Sequence, residues 1–220
     1  MQRTLIVGAS RGIGLSLTQV YNELGHQVIG TSRTPNDELE SAADEVWTGL
    51  DVTAESIEEQ LTNELQQRSL NRLIIVAGIL ESDDVSCLAP DSLRRQFEVN
   101  AVGALRAAVA LRGSMASEGV IAFITSRMGS IADNTSGGYY GYRMSKAALN
   151  AGAKSLAIDL APHQVKVAIL HPGFVRTDMT NGQGFIDPRA SAEMLRDQIE
   201  SWKTENTGIF KHASGEILPW

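Results

Sequence analysis

Short apolar segments rich in β-branched residues alternate with longer amphipathic segments along most of this chain. The short segments cover 4–8, 27–32, 45–50, 72–78, 119–126 and 165–170, and segments with helical periodicity cover 12–24, 54–69, 91–116 and 139–161. Strands that alternate with helices predict right-handed crossovers and a parallel sheet with helices on both faces. Segments such as "LIIV" and "VIAFI" are apolar on both faces, as is typical of central parallel strands. The pattern therefore predicts an α/β fold with one doubly wound parallel sheet.

Length and composition limit the alternatives. The 220 residues contain no internal repeat, low-complexity tract or linker, so one domain over 1–220 is expected. A formal net charge of −7 argues against binding nucleic acid through a basic surface. The single Cys87 permits no internal disulfide and no multi-cysteine metal site. No segment approaches the roughly 18–20 apolar residues of a membrane span, and no signal-peptide pattern precedes the first strand. We therefore expect a cytoplasmic protein without a metal or a membrane partner.

The segment "VGASRGIG" (7–14) follows the first predicted strand and opens the first predicted helix. Gly8, Gly12 and Gly14 allow a tight turn and a close approach of the backbone to a ligand, and the helix N-terminus offers free N–H groups to a pyrophosphate. The spacing is a variant of the common G-x-G-x-x-G pattern. At this place in an alternating α/β chain it predicts a dinucleotide-binding loop of a Rossmann-like fold.

The end of the second predicted strand indicates which dinucleotide is preferred. NAD sites usually carry an Asp or Glu there that holds the ribose hydroxyls, whereas this strand ends with Ser32 and Arg33. Arg11 in the glycine loop adds a second cation. A 2′-phosphate binds guanidinium groups and is repelled by carboxylates, so NADP(H) is expected. Asp51, after the third strand, could contact the adenine or cap a helix.

Three tyrosines precede a lysine in "GGYYGYRMSKAALN" (137–150). Tyr142 and Lys146 are four residues apart and share one helix face, which Tyr139 and Tyr140 do not. A neighbouring cation favours the phenolate and so makes a tyrosine a usable acid or base near neutral pH. Such pairs also occur by chance, so the spacing alone does not establish catalysis.

The ordered motifs resemble those of the short-chain dehydrogenases/reductases over essentially the full length. They are "GASRGIG" (8–14), "LDV" (50–52), "AG" (77–78), "FEVNAVG" (97–103), "ITS" (124–126), "YRMSK" (142–146) and "HPGFVRTDM" (171–179). The stretch 137–150 and the ending "SGEILPW" are most similar to the carbonyl-reductase and C-factor-like branch. The resemblance implies an oxidoreductase that reduces a small-molecule carbonyl compound with NADP(H), or oxidises the alcohol in reverse.

The resemblance also implies roles for individual residues. Tyr142 gives its proton to the substrate oxygen, and Lys146 lowers the pKa of that tyrosine and hydrogen-bonds the nicotinamide ribose. Ser126 holds the carbonyl oxygen, and Asn100 positions a water that relays protons. Together with the glycine loop, the motifs give these expected cofactor contacts: Gly8, Ser10, Arg11, Gly12, Ile13, Gly14, Ser32, Arg33, Asp51, Val52, Ala77, Gly78, Tyr142, Lys146, Pro172, Gly173, Val175 and Thr177.

Several positions depart from the family pattern. Val7 replaces the usual Thr before the first glycine, and Ile75 and Val76 replace two asparagines, which questions how the loop and the central strand are supported. Ser130 competes with Ser126, which is preferred because it directly ends a strand. His171 is expected to be structural.

The substrate pocket is less well defined by the sequence. Met128, Phe174 and Met179 are expected to form an apolar wall, and Tyr139 and Tyr140 to be packing or pocket-wall residues. Small residues in the helices at 100–117 and 139–161 predict close packing across a two-fold axis and hence a homodimer or homotetramer. A cofactor-binding signalling or scaffold protein with little turnover remains the alternative to an enzyme.

Overall fold

A parallel sheet of seven strands forms the centre of the protein in the computed structural model, which describes residues 2–220. The strands are β1 Arg3–Val7, β2 Gln27–Thr31, β3 Glu45–Trp47, β4 Leu70–Ile75, β5 Met115–Ile124, β6 Lys166–His171 and β7 Phe210–His212. Their order across the sheet is β3-β2-β1-β4-β5-β6-β7, and every neighbouring pair is parallel. The predicted parallel sheet is confirmed.

Helices cover both faces of the sheet, as predicted. They are α1 Gly12–Glu23, α2 Asp37–Ala42, α3 Ile57–Leu65, α4 Pro90–Phe97, α5 Ala104–Leu111, α6 Tyr140–Leu160 and α7 Pro188–Glu200. The buried side chains of α1, α2 and α7 form the core on one face, and those of α3, α5 and α6 form the core on the other.

The alternation of side chains along β1 shows how the sheet feeds both cores. Leu5 and Val7 join the cluster with α3, α5 and α6, whereas Ile6 joins Leu17 of α1 in the opposite cluster. Successive residues of a strand point to opposite faces, and all three β1 side chains are buried. Burial on both faces explains why the last three residues of this strand are all apolar.

The strand order reverses between β1 and β4, which places the switch point of the sheet beside the loop that follows β1. A crevice opens there because the chain leaves the two strands toward opposite sides. Gly8 lies in this crevice with a φ of +89°, and a Cβ on it would lie 2.6 Å from the Ala77 nitrogen. Only glycine permits this approach, so the loop after β1 can lie directly against the loop after β4.

One helix and one strand differ from the sequence-based prediction. The helix predicted over 91–116 is divided into α4 and α5 by a π-helical turn, Glu98–Gly103, and its last two residues already belong to β5. The strand β7, Phe210–His212, was not predicted.

Candidate active site

Two adjoining cavities lie at the carboxyl edge of the sheet. The first, with a volume of about 460 Å³, runs along the glycine loop and the ends of β2 and β4, and the second, of about 430 Å³, lies beside the end of β5. The residues that line both are Ile13, Thr125, Tyr142, Pro172, Thr177 and Met179. Tyr142 therefore stands where the two cavities meet.

The glycine loop forms a cradle with no room for side chains. A Cβ on Gly14 would lie 2.1 Å from the Gly8 carbonyl oxygen. The Gly8 N–H donates to the hydroxyl of buried Thr31 over 3.1 Å. The Thr31 hydroxyl thus supports the loop, whereas Val7, which replaces the usual Thr, has no hydroxyl to do so. Within residues 2–220, no side chain caps the first turn of α1, so its N–H groups are available to an anion.

Ser32 and Arg33 lie at the far end of the first cavity. The Ser32 hydroxyl donates to the Thr34 carbonyl oxygen over 2.6 Å, and no carboxylate replaces it at the end of β2. Among residues 2–220, no acidic side chain forms an ion pair with Arg33. The guanidinium is free to bind an anion.

Asp51 and Arg11 also reach the first cavity, but each already has a partner. The Asp51 carboxylate accepts hydrogen bonds from the Thr53 N–H at 2.9 Å and the Thr53 hydroxyl at 2.7 Å. These bonds, with a smaller contribution from Arg33, hold the pKa of Asp51 below its usual value. Arg11 forms an exposed ion pair with Asp178 at 3.1 Å. Arg11 would therefore have to break its ion pair with Asp178 before its whole charge could act on a phosphate.

Tyr142 and Lys146 lie together, as their spacing predicts. The Lys146 Nζ atom lies 5.7 Å from the centre of the Tyr142 ring and donates to the Ile124 carbonyl oxygen over 3.1 Å. Burial raises the pKa of Tyr142 to about 12 and lowers the pKa of Lys146 to about 8. Burial therefore dominates the pKa of Tyr142, and the expected lowering of that pKa by Lys146 stays a prediction.

Ser126, at the end of β5, lines the second cavity with Tyr142. Its Oγ accepts a hydrogen bond from the Met128 N–H at 3.1 Å, which leaves its own proton free to donate. The nearby Ser126 hydroxyl also opposes the rise in the pKa of Tyr142. Ser130, in contrast, donates to the Trp220 carbonyl oxygen and accepts from the Asp133 N–H, both at 3.1 Å, and lines neither cavity. The geometry favours Ser126 over Ser130 as the serine beside Tyr142 in the second cavity.

Asn100 is fully buried in the π-helical turn and lines neither cavity. Its amide exchanges two hydrogen bonds with the Ile79 backbone, at 2.7 and 2.9 Å, and donates to the Ser145 hydroxyl at 3.0 Å. The side chain therefore joins the loop after β4 to α6. Its suggested part in holding a water stays a prediction.

Tyr139 and Tyr140 are 40% and 38% exposed, and neither lines a cavity. They were expected to be packing or pocket-wall residues, and the pocket-wall part of that expectation is wrong. Their backbone has a different task. The buried Asp83 carboxylate accepts hydrogen bonds from the N–H groups of Tyr140 and Gly141 and thereby caps α6. Asp83 thus fixes the start of the helix that carries Tyr142.

The other expected cofactor contacts divide between the cavities. Gly173 and Val175 line only the second cavity, which differs from the expectation. Those that line the first, besides residues already described, are Ser10, Gly12, Ile13, Val52, Ala77, Gly78, Pro172 and Thr177. Met128, Phe174 and Met179 all line the second cavity, as expected of a substrate wall.

His171 lies at the end of β6 on the wall of the second cavity. Its ring meets that of His212 edge-on at 5.1 Å between centres. Burial, with the neighbouring His212 and Arg127, lowers its pKa to about 3, so the imidazole is neutral at physiological pH. Its buried Nδ1 has no hydrogen-bond partner within residues 2–220.

Sequence reasoning missed Thr31, Asp83 and Arg176. Arg176 lines the first cavity and lies within the recognised motif 171–179, but it was given no role. Thr31 directly precedes the Ser32–Arg33 pair, and its place at the end of β2 was a usable signal. Asp83 had none, since its helix begins 57 residues further along the chain.

Two further features concern residues 2–220 as a whole. No helix there has the length and apolar character needed to cross a bilayer. No cluster of three or more metal-ligating side chains is found among them either.

Comparison with known proteins agrees with this geometry. The family model of the short chain dehydrogenases matches residues 2–184. The 1-hydroxy-2-glutathionyl-2-methyl-3-butene dehydrogenase of Rhodococcus sp. (strain AD45) is 36% identical over 226 residues, covering 100% of both chains. The C-signal of Myxococcus xanthus is 38% identical over 130 residues, covering 58% of this chain and 78% of that one. A carbonyl reductase from Pseudomonas aeruginosa PAO1, solved in complex with NADP, is 33% identical with a TM-score of 0.84 and full coverage of both chains.

The fold and the two cavities define an oxidoreductase built on a dinucleotide-binding sheet. The chain belongs to the short chain dehydrogenase family.

Proposed function

We propose that this protein is an NADP(H)-dependent reductase of carbonyl compounds, with Tyr142 as the acid. The observation that carries the proposal is the position of Tyr142 on the wall shared by the two cavities, with Lys146 behind it and Ser126 beside it. A cofactor in one cavity and a substrate in the other would meet at this phenol.

The first cavity fits NADP(H). The glycine cradle and the uncapped first turn of α1 suit a pyrophosphate. Arg33, without an acidic partner among the described residues, suits a 2′-phosphate, and no carboxylate at Ser32 would repel it. The Pseudomonas aeruginosa carbonyl reductase that shares this fold was solved with NADP. When bound, the nicotinamide would supply a hydride to the substrate.

The side chains around Tyr142 suit reduction at neutral pH. With a pKa of about 12, the phenol keeps its proton and can donate it to a substrate oxygen as negative charge develops there. Ser126 can donate a second hydrogen bond to the same oxygen, because its Oγ already accepts from the Met128 N–H. Lys146, with a pKa of about 8, is mostly charged at neutral pH and stabilises the phenolate left behind.

Asn100 contributes by position. Its three hydrogen bonds join the loop after β4 to Ser145 of α6, one residue before Lys146. A Cβ on Gly78 would lie 3.1 Å from the Asn100 Oδ1 and 3.5 Å from the Lys146 Nζ, so these groups flank one small volume. We assign Asn100 the task of holding this volume open beside Lys146.

The decisive experiment measures NADPH oxidation by the wild-type protein across ketones, aldehydes and quinones. Reduction of at least one class, lost in Tyr142→Phe but kept in Tyr140→Phe, would support the proposal. Absence of turnover with every class, despite tight binding of NADPH, would contradict it.

A second candidate is a cofactor-binding signalling protein with little turnover. The observation that favours it is the similarity to the protein named C-signal, although this covers 58% of the chain. The same assay distinguishes the reductase from the signalling protein. A signalling protein would bind NADPH, but both the wild-type and the Tyr142→Phe protein would oxidise it slowly.

A further inference from the structure

Two arginines line the second cavity of this acidic protein. The chain has a formal net charge of −7, and the formally charged side chains that line this cavity are Arg127, Arg143 and Asp133. An arginine without an acidic partner attracts a negatively charged ligand, whereas a paired arginine does so much less.

One of the two arginines is neutralised by the protein. The Arg127 Nη2 atom lies 3.0 Å from a Glu216 carboxylate oxygen, and its Nε atom lies 3.5 Å from an Asp133 carboxylate oxygen. Arg127 therefore uses both nearby acids. Its charge is not available to a ligand.

Arg143 is held by neutral acceptors instead. Its Nε donates to the Gly138 carbonyl oxygen at 3.0 Å, and its Nη2 donates to the Ser136 hydroxyl at 2.9 Å and the Gly137 carbonyl oxygen at 3.2 Å. No carboxylate oxygen of residues 2–220 lies within the 4.0 Å of an ion pair. The guanidinium is fixed in place with its charge uncompensated, and these bonds leave the two N–H groups of Nη1 unused.

The position of Arg143 is unfavourable for the helix that carries it. Arg143 lies in the first turn of α6, where the helix dipole opposes cations, and the capping Asp83 carboxylate offsets only part of that effect because it forms no ion pair with Arg143 among residues 2–220. Both Gly137 and Gly138 have a φ of +63°, a conformation that costs little only for glycine and that presents their carbonyl oxygens to the guanidinium. A residue that conflicts with its local structure and is nevertheless precisely held is a common mark of a binding site.

We propose that Arg143 binds a carboxylate group of the substrate in the second cavity. The proposal rests on the function proposed above and narrows the substrate class to carbonyl compounds that carry a carboxylate, or the corresponding hydroxy acids. The unused N–H groups of Nη1 can each donate a charge-assisted hydrogen bond to a carboxylate oxygen. Leu80, Met128 and Phe174 provide apolar wall for the carbon skeleton between the carboxylate and Tyr142.

The test compares keto acids with their methyl esters, which lack the negative charge and carry one additional methyl group. Levulinate and methyl levulinate, and 4-acetylbenzoate and methyl 4-acetylbenzoate, serve as aliphatic and aromatic pairs. We expect the wild-type protein to prefer at least one carboxylate, and Arg143→Gln to raise the KM for it roughly 10–100-fold with little change in kcat, since a hydrogen-bonded charge is lost from binding alone. The KM for the ester should change less than about 3-fold.

Arg112→Gln is the matched control. Arg112 also lacks an acidic partner among the described residues, but it precedes β5 and so lies at the opposite edge of the sheet. Equal effects of Arg112→Gln and Arg143→Gln on the carboxylate would overturn the proposal, because they would reflect the net charge of the protein. Arg143→Lys should recover part of the affinity, since lysine keeps the charge but loses the hydrogen bonds to Ser136, Gly137 and Gly138 that hold the guanidinium in place.

A binding measurement separates this proposal from the proposed reductase activity. Each acid and ester is titrated calorimetrically into the protein saturated with NADP⁺. Tighter binding of an acid that depends on Arg143, without turnover of any carbonyl compound, would support the carboxylate site and contradict the reductase. Turnover with no preference for any acid over its ester would support the reductase and overturn the carboxylate site.

Discussion

The Lys146 ammonium nitrogen lies 5.7 Å from the centre of the Tyr142 ring, with both side chains buried. Burial moves their pKa values toward the neutral forms, upward to about 12 for the phenol and downward to about 8 for the amine. At neutral pH, Tyr142 therefore keeps its proton, and Lys146 beside it stays mostly charged although it is buried. This relationship gives a prediction about stability.

Lys146→Met should change how the free energy of unfolding depends on pH. In the unfolded chain a lysine has a pKa of about 10.4, so between pH 8 and that value the unfolded state binds more protons and the folded state gains stability as pH rises. Wild-type stability relative to Lys146→Met should therefore rise by about 1–3 kcal/mol between pH 7.5 and pH 10. Urea unfolding at both pH values measures this change.

The same substitution at exposed Lys154, on the same helix, controls for the loss of one lysine. Tyr142 is present in all these variants, so its own titration cancels in the differences. If Lys146→Met and Lys154→Met had the same pH profile, Lys146 would not be desolvated as the structure shows.

Asp83→Ala should destabilise the protein by about 1–2 kcal/mol, because two N–H groups at the start of α6 lose their acceptor. It should also lower kcat, since the first turn of α6 carries Tyr142. Thermal unfolding and steady-state kinetics check both effects. Asp159→Ala, which removes an exposed acid near the end of the same helix, should leave stability nearly unchanged. Equal losses in the two variants would contradict the capping role.

Arg33→Ala should weaken NADPH binding roughly 10–100-fold and leave NADH binding within about 3-fold, because only NADPH carries the 2′-phosphate. Ser32→Asp should narrow or reverse the preference by repulsion. Fluorescence titration of both cofactors measures the dissociation constants. Equal affinities of the wild-type protein for NADPH and NADH would exclude the assigned role of Arg33.

The exposed face of α6 should form a contact between two copies of the chain. Met144, Ala151, Ser155 and Ile158 are exposed and lie at helical spacing, with Met144 57% and Ile158 63% exposed. Light scattering at micromolar concentration should give the mass of a dimer or tetramer, and Ile158→Lys should lower it. A monomeric wild-type protein would rule out the oligomer, which stays a prediction until then.

The sequence predicted the parts of the site that depend on local spacing. The four-residue separation of Tyr142 and Lys146 sets their helix face, and the glycine loop after β1 follows from its position in the alternating pattern. Family motifs added Ser126 and Asn100. None of these required knowledge of which distant segments meet.

The parts that the sequence could not predict join residues far apart in the chain. The Asp83 cap spans 57 residues and the Arg11–Asp178 ion pair spans 167, so neither leaves a local pattern. The raised pKa of Tyr142 was also missed, because spacing indicates a neighbouring cation but gives no measure of burial. The acceptors of Arg143 lie only five to seven residues before it, but the cavity that it lines depends on the fold.

The last prediction separates Tyr142 from its two neighbours. Tyr142→Phe removes one oxygen from a buried ring, so the fold and NADPH binding should persist while kcat for carbonyl reduction falls at least 10²–10⁴-fold, the usual contribution of acid catalysis. Tyr139→Phe and Tyr140→Phe should change kcat less than about 3-fold, because both rings are exposed outside the cavities. Stopped-flow measurement of NADPH oxidation, with cofactor binding measured on the same samples, distinguishes a lost acid from a lost site. Near-normal turnover in Tyr142→Phe, together with its loss in Tyr139→Phe or Tyr140→Phe, would show that the phenol at the meeting point of the cavities is not the acid.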